Sequence, residues 1–328
     1  MNIANASDVR TVVMDAWERT LEVPPADDAE NFFDAGGNSI LLVTFQQHLS
    51  RGLGRKVALS EIFREPTVAG IAYGLAAGRE GESAEASVRV SGAGPARLYC
   101  LPYAGASARM YDVWKDALPP SVELVPLELP GRGSRCGRRP IATLPELLSD
   151  LSSYVADDGV PYAVFGHSFG GILAYELAQR LAATGRGMPS HLLVSGCRAP
   201  RHARPAQTSF DLSDQEFRDR LAQLRGTPQE LLENDELMEL YLPIIRADYM
   251  ILDRYEPTAR DPLTCPIVAF YGEADADATE QDVVAWADCT TSTFRAEAIS
   301  GDHFFLHSAK DDLVRAIGAH LVPGSAQR

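Results

Sequence analysis

Short apolar runs alternate regularly with helical segments through the later two thirds of the chain, and this pattern is compatible with few folds. Six runs are predicted strands, at 98–102, 122–129, 162–166, 191–196, 267–272 and 294–299. Helical periodicity lies between and after them, most clearly at 144–156, 169–184 and 308–321. Because strands that alternate with helices are joined by crossover connections, the pattern predicts an α/β fold around a mostly parallel sheet.

The chain ahead of this region has helical periodicity alone. Apolar residues recur at helical spacing from Val9 to Leu21, again from Leu42 to Leu49, and once more after Pro66. No run alternates in the manner of a strand. Residues 1–77 are therefore predicted to form a small all-α helical bundle.

Two further segments complete the predicted multi-domain organisation. Residues 78–97 consist mostly of Gly, Ala, Ser and charged residues with only two valines, which is typical of a flexible linker. The larger domain then covers 98–328. Within it, residues 209–256 contain one helical pattern after another, and we expect a helical lid over the carboxyl edge of the sheet. Its apolar residues Leu212, Phe217, Leu221 and Leu224 could line a ligand pocket or pack against the sheet.

Charge and cysteine content exclude several classes of protein. The 30 basic and 45 acidic residues give a net charge of −15, which disfavours binding to nucleic acid or to an anionic membrane. No run of 18 apolar residues predicts a membrane span, and the first residues lack the apolar core of a signal peptide. The five cysteines are scattered without a CxxC pair, so we expect neither a metal site nor disulfides, and a cytoplasmic location.

A Gly-x-Ser-x-Gly motif at Gly166–Gly170 lies between a predicted strand and a predicted helix. This context predicts a sharp turn that presents the Ser168 hydroxyl at the end of the sheet as a nucleophile. His167 precedes it, and we expect its side chain to point away from the position of the catalytic base. The alternative, a glycine-rich phosphate-binding turn, does not fit the spacing because GxGxxG is absent.

A serine nucleophile needs a base and an acid, and the chain order Ser, Asp, His is met after successive strand ends. Asp275 follows one predicted strand and His303 follows the next. Because parallel strands end at one edge, the two residues are predicted to lie near Ser168, with His303 as general base and Asp275 orienting its imidazole. Asp277 and His307 are the alternatives to these two residues.

An oxyanion hole requires two backbone N–H donors. Phe169, directly after the nucleophile, is the first candidate. Tyr103, in the loop after the first strand, is the second, and we prefer it to Ala104.

The motifs of the larger domain together resemble those of the thioesterases of nonribosomal peptide and polyketide synthesis. They are LPYAGAS (101–107), LPGRGSR (129–135), FGHSFGG (165–171), VSGCRAP (194–200), LPIIRADYMILDRY (242–255), YGEAD (271–275) and GDHFFL (301–306). This resemblance implies an α/β-hydrolase fold with a helical lid and hydrolysis of acyl or peptidyl thioesters. The lid segment is closer to the stand-alone, type II members, although those members usually lack an N-terminal domain of their own.

The segment Asp34–Ser39, DAGGNS, would by itself be a capped helix start. With NFF before it, LL after it and Pro66 near the domain's end, it resembles a peptidyl carrier protein over residues 6–77. The resemblance implies that Ser39 carries a 4′-phosphopantetheine arm, attached by a phosphopantetheinyl transferase. Four arginines at 132, 135, 138 and 139 could contact the phosphate of that arm or form a solvated basic loop.

Together the two resemblances predict a carrier–thioesterase didomain of nonribosomal peptide or hybrid polyketide synthesis. It would release or edit thioester-bound chains and work with other synthetase domains. An acyltransferase, including one that releases by cyclisation, is a second hypothesis. A carrier docking module with an inert hydrolase is a third.

Overall fold

The computed structural model describes residues 6–77, 96–202, 211–224, 227, 229–257 and 260–322. The described residues group into two compact units. The first draws on Met1–Ser87, Leu129–Pro140 and Ser213–Ile244, and the second on Val88–Glu128, Ile141–Leu212 and Ile245–Arg328. Residues 78–95 of the predicted linker lie outside the described part of the chain, so the domain boundaries remain predictions.

The second unit is built on a six-stranded parallel sheet of order β2-β1-β3-β4-β5-β6. The strands are β1 Ala96–Leu101, β2 Val122–Pro126, β3 Tyr162–His167, β4 Leu192–Ser195, β5 Ile267–Gly272 and β6 Phe294–Ile299. Every predicted strand is found. β1 begins at Ala96, so the last two residues of the predicted linker form strand instead.

Helices and short 3-10 turns connect these strands. The described helices of this unit are α5 Leu144–Ser152, α6 Phe169–Ala183, the second half of α9 Asp235–Asp253, α10 Glu280–Val284, α11 Phe305–Ser308 and α12 Lys310–Leu321. β3 and β4 are buried along their whole length, which explains why both read as continuous apolar runs. The predicted α/β-hydrolase-type fold is confirmed.

The parallel direction of the strands determines where functional residues can meet. Ser168 follows the end of β3, Asp275 follows β5 and His303 follows β6. The loop at 102–107 follows β1. All four therefore leave the sheet at its carboxyl edge, where ligands of open parallel sheets bind.

The first unit is helical, as predicted for its N-terminal part. Its helices are α1 Ala6–Leu21, α2 Ser39–Leu53, α3 Leu59–Phe63, α4 Val68–Ala77, α7 Asp214–Leu224, α8 Gln229–Leu232 and the first half of α9 Asp235–Asp253. Trp17, Phe32 and Phe45 form the aromatic centre, with the rings of Phe32 and Phe45 stacked at 4.8 Å.

Within the described part of the stretch predicted as a lid, most residues are helical, in α7, α8 and α9, with short turns between these helices. Phe217 and Leu221 are buried, and Leu212 is partly buried. The side chain of Leu224 lies outside the described part of the molecule. That these residues line a pocket or pack against the sheet stays a prediction.

The arginine-rich loop at 132–139 is only partly exposed to solvent. The side chains of Arg132 and Arg135 are buried, with 2% and 4% exposed, whereas Arg138 and Arg139 are exposed. A solvated basic loop is therefore wrong for the first pair. No helix among the described residues is both long and apolar enough to cross a membrane.

Candidate active site

Ser168 occupies a strained backbone position between β3 and α6. Its φ of 53° and ψ of −117° are unusual for a residue with a side chain. The turn is possible because Gly166 has no side chain. A Cβ at this position would lie only 1.9 Å from the carbonyl oxygen of Gly170. A Cβ on Gly170 would lie 2.2 Å from the carbonyl oxygen of Leu101. Both motif glycines are thus required by close backbone contacts.

The structure brings Ser168, His303 and Asp275 together in one hydrogen-bonded chain. The Ser168 Oγ lies 3.1 Å from His303 Nε2. The other ring nitrogen, Nδ1, lies 2.9 Å from Asp275 Oδ2. These distances are within the range needed for proton transfer between a nucleophile and its base.

Asp275 uses its two carboxylate oxygens differently. Oδ2 faces His303, and Oδ1 accepts the backbone N–H groups of Asp277 and Ala278 at 2.8 Å and 3.0 Å. Burial alone would raise the pKa of Asp275. The hydrogen bond and electrostatic attraction of His303, followed by the two N–H donors, outweigh that effect and hold the pKa of Asp275 below its usual value. Asp275 is therefore a carboxylate at neutral pH.

The two alternative residues have other surroundings. Asp277 is exposed, and its backbone N–H supports Asp275. The Nε2 atom of His307 lies 3.3 Å from the Tyr103 hydroxyl, and burial lowers the pKa of this histidine. The structure therefore brings Asp275 and His303, rather than Asp277 and His307, into the chain that ends at Ser168.

One group of metal-ligating side chains lies here, formed by Asp275, Asp277 and His303, whose donor atoms all lie within 4.8 Å of one another. Both ring nitrogens of His303 already have partners in Ser168 and Asp275. That engagement suits proton transfer better than metal binding.

The two predicted oxyanion donors lie on backbone segments that approach each other. Phe169 is the first residue of α6, and Tyr103 lies two residues after the end of β1. A Cβ on Gly170 would meet the carbonyl oxygens of both Leu101 and Pro102, at 2.2 Å and 2.7 Å. This close contact brings the start of α6 against the end of β1, as a shared oxyanion hole requires.

The expectation for His167 is wrong. Its ring is completely buried and its centroid lies 5.2 Å from that of His303. Side chains alternate in direction along a strand, but the strained turn at Ser168 breaks that alternation, so His167 and Ser168 need not point in opposite directions. His167 Nδ1 lies 3.0 Å from Ser195 Oγ. Burial, then the nearby His303 and His307, lower its pKa well below the usual value.

A separate site surrounds Ser39 in the first unit. Ser39 is the first residue of α2, and Asn38 caps this helix by accepting the N–H groups of Ile40 and Leu41 at 3.0 Å and 2.9 Å. A Cβ on Gly37 would lie 2.3 Å from the Phe32 ring, so only glycine fits there. The first turn of α2 contains no acidic residue. A phosphodiester at this helix start therefore fits the residues present.

A cavity of about 640 Å³ lies in the second unit, between α5, α6 and the end of α9. Glu176, Arg180 and Tyr255 are among its lining residues, whereas the three residues of the hydrogen-bonded chain are not. Phe217 and Leu221 do not line it either. This cavity is therefore not the pocket that Phe217 and Leu221 are expected to line.

Two family profiles match successive parts of the chain. One, described as a thioesterase domain, matches residues 96–321, more than half of the chain. The other, described as a phosphopantetheine attachment site, matches residues 11–73. A domain of the second kind carries 4′-phosphopantetheine covalently on a serine.

Curated proteins from several biosynthetic systems are similar to the chain. The gramicidin S biosynthesis protein GrsT of Aneurinibacillus migulanus is 33% identical over 229 residues, which span 70% of this chain and 90% of GrsT. The AMB antimetabolite synthetase AmbE of Pseudomonas aeruginosa is 30% identical over 326 residues, which span 95% of this chain and 15% of AmbE. The match to AmbE therefore runs through both profile regions.

Solved structures agree. ClbQ from the colibactin NRPS/PKS pathway is 37% identical with a TM-score of 0.66, covering 69% of this chain and 96% of its own. BorB, a type II thioesterase from the borrelidin biosynthetic cluster, is 33% identical with a TM-score of 0.64, covering 73% and 100%. The resemblance drawn from the motifs is thus confirmed. The chain belongs to the thioesterase family, hydrolases that act on thioester bonds, and it carries a phosphopantetheine attachment domain ahead of its thioesterase domain.

Proposed function

We propose that this protein releases acyl or peptidyl groups from a carrier-bound thioester by hydrolysis, through an acyl intermediate on Ser168. The observation that carries the proposal is the chain of contacts from Ser168 Oγ to His303 Nε2 at 3.1 Å and from His303 Nδ1 to Asp275 at 2.9 Å. A nucleophile, a base and an orienting acid in this order are the arrangement that serine hydrolases use for acyl transfer.

In the first half of the reaction, Ser168 Oγ attacks the thioester carbonyl carbon while His303 Nε2 takes its proton. The C–S bond then breaks, and His303 returns the proton to the departing sulfur. Asp275 holds the imidazole in the required orientation and stabilises its positive charge. Because a thiol is a better leaving group than an amine, protonation by His303 is needed less here than in amide cleavage.

In the second half, His303 removes a proton from water as the water attacks the acyl-Ser168 ester. The ester bond breaks, Ser168 regains its proton from His303, and a free acid leaves. In both halves the carbonyl oxygen becomes negative, and the backbone N–H groups of Phe169 and Tyr103 are the proposed donors to it.

Ser39 is the proposed attachment point of the 4′-phosphopantetheine arm, whose thiol holds the acyl group as a thioester. Support comes from its place at the start of the 15-residue helix α2, after the Asn38 cap, since a helix N-terminus favours a phosphodiester anion. This assignment makes a phosphopantetheinyl transferase a required partner. Other synthetase domains that load the carrier are partners as well.

The proposal includes a cytoplasmic location and no nucleic-acid or membrane partner. All five cysteines are buried free thiols, a state that a reducing compartment maintains. The net charge of −15 disfavours binding to nucleic acid and to anionic lipid.

Contacts within the first unit support delivery from the protein's own carrier domain. The N–H of Leu59 donates to Glu236 Oε1 at 2.8 Å, and the ring of Phe63 lies 5.7 Å from that of Tyr241. Leu59 and Phe63 belong to α3 of the carrier, whereas Glu236 and Tyr241 belong to α9. A covalently attached carrier that also contacts the lid helix presents its substrate at a high effective concentration.

The experiment uses a short acyl thioester of N-acetylcysteamine and the intact mass of rapidly quenched protein. We expect an acyl adduct that Ser168→Ala abolishes, and a loss in kcat/KM of about 10³-fold or more in His303→Ala. Asp275→Asn should reduce the rate far more than its matched control, Asp277→Asn. A larger loss in Asp277→Asn would overturn the choice of acid.

Two further outcomes separate the competing functions. Acyl-Ser168 that passes its group to a carrier thiol, with little free acid, would favour an acyltransferase. A wild-type protein that never becomes acylated would be a docking module with an inert hydrolase.

A further inference from the structure

The loop that supplies the second proposed oxyanion donor is a tight turn. Tyr103 accepts the N–H of Ala106 through its carbonyl oxygen at 3.1 Å, and Gly105 has a φ of 79°. A positive φ at the third residue of a four-residue turn is typical of type II and favours glycine. The direction of the Tyr103 N–H therefore depends on how this turn is held.

The two ends of the loop are fixed within the second unit. At its beginning, the Tyr111 hydroxyl donates to the carbonyl oxygen of Leu101 at 2.7 Å. At its end, the N–H of Ala108 donates to the buried Glu128 at 3.0 Å, and the Ser107 hydroxyl donates to the same carboxylate. Neither contact reaches the middle of the turn.

The middle of the turn is held by α9. The N–H of Gly105 donates to Asp248 Oδ2 at 2.7 Å. Asp248 is only 1% exposed, and Ile245, one helical turn earlier, packs so closely on Gly105 that a Cβ there would lie 3.0 Å from it. A buried carboxylate that accepts a backbone N–H is a strong and directional contact.

We propose that Asp248 is a positioning residue for the oxyanion hole, holding the turn 103–106 so that the Tyr103 N–H points at the developing oxyanion. The inference rests on the proposed function of Ser168. Asp248 does not touch the substrate. It acts by fixing Gly105 and, through the turn, the direction of the Tyr103 N–H. A small displacement of this N–H lowers the rate because the transition state requires an aligned donor.

The test compares Asp248→Ala with Asp248→Asn in the full-length protein. Alanine removes the acceptor, whereas the asparagine side-chain oxygen can still accept the Gly105 N–H. On the N-acetylcysteamine thioester, we expect Asp248→Ala to lower kcat by about 10- to 100-fold with little change in KM, less than the loss of a whole oxyanion donor. Asp248→Asn should recover most of this loss.

A second readout separates positioning from general damage. An alkylboronic acid forms a tetrahedral adduct with the active serine, so its inhibition constant reports the oxyanion hole. In Asp248→Ala, the inhibition constant of the boronic acid should rise by about the same factor as kcat falls. Glu176→Ala, which removes another buried carboxylate of the same unit, bonded to Tyr255 and Arg260, should leave both values near wild type per folded molecule.

The proposal would be overturned if Asp248→Ala keeps kcat within about twofold of wild type, if asparagine is as harmful as alanine, or if boronic acid binding is unchanged while kcat falls. None of these results would affect the acyl adduct on Ser168 in the wild-type protein. Failure of this inference and failure of the proposed function are therefore distinguishable.

Discussion

At the scale of single residues, His167 is the most unusual group near the proposed active site. It is fully buried, packs on the rings of His303 and Phe305 at 5.2 Å and 5.5 Å, and bonds to Ser195. Burial and two neighbouring histidines lower its pKa well below the usual value. The native protein therefore keeps this imidazole neutral, whereas the unfolded chain protonates it at an ordinary pH.

This difference predicts a pH dependence of stability. Because the folded pKa lies below the unfolded value of about 6.5, the unfolded state binds more protons as the pH falls below that value. The contribution of neutral, buried His167 to the stability of the folded protein is fully present above about pH 6.5 and declines as the pH falls below that value. The slope contributed by this residue can reach about 1.4 kcal/mol per pH unit, the value of one proton.

Urea unfolding of the wild type and of His167→Asn, repeated between pH 7.5 and about pH 5, measures this slope. Asparagine can still hydrogen-bond Ser195 but does not titrate. The variant should lose less stability on acidification than the wild type, even if it is less stable at pH 7.5. Parallel curves for the two proteins would show that His167 is not the titrating group.

Among the elements of the first unit, α3 and α9 form the contact that we propose to assist delivery of the acyl group from the carrier domain. It combines the Leu59–Glu236 hydrogen bond with the Phe63–Tyr241 ring contact. Lys56 Nζ also lies 3.8 Å from Glu236, but Lys56 is mostly exposed, so that ion pair adds little. The hydrogen bond and the apolar ring pair are the parts that a mutation can remove selectively.

We expect the double variant Glu236→Ala/Tyr241→Ala to slow release of an acyl group attached in cis by about tenfold, the effect of losing about 1.4 kcal/mol. Hydrolysis of the small N-acetylcysteamine thioester, which needs no docking, should be unchanged. Glu239→Ala, an exposed acid on the same helix, is the matched control. If hydrolysis of both substrates slows equally, α9 affects the hydrolase itself, and the α3–α9 contact does not serve delivery from the carrier domain.

The elements also explain what the sequence could predict. The six strands were recognisable because buried parallel strands are short apolar runs, and Ser168, Asp275 and His303 because each follows a strand end. The contact of Leu59 with Glu236 joins residues 177 positions apart, and no local pattern encodes such a pair. The same holds for Asp248 and Gly105, which are 143 positions apart.

At the scale of the whole molecule, the chain combines a domain that carries a thioester with a domain that cleaves one. The match to GrsT covers 70% of this chain, whereas the match to AmbE covers 95%. Fusion removes the need for the hydrolase to find its carrier by diffusion. We therefore propose that the acyl group passes from Ser39 to Ser168 and then to water within one molecule.

The most direct test converts the protein to its holo form with a phosphopantetheinyl transferase and octanoyl-coenzyme A, and follows the octanoyl group by quenched intact-mass and peptide-mass measurements. In the wild type, the group should leave the Ser39 peptide, pass transiently to the Ser168 peptide and end as octanoic acid. In Ser168→Ala it should remain on the Ser39 peptide. Equal loss from both proteins, or loading that persists in Ser39→Ala, would contradict transfer from Ser39 to Ser168.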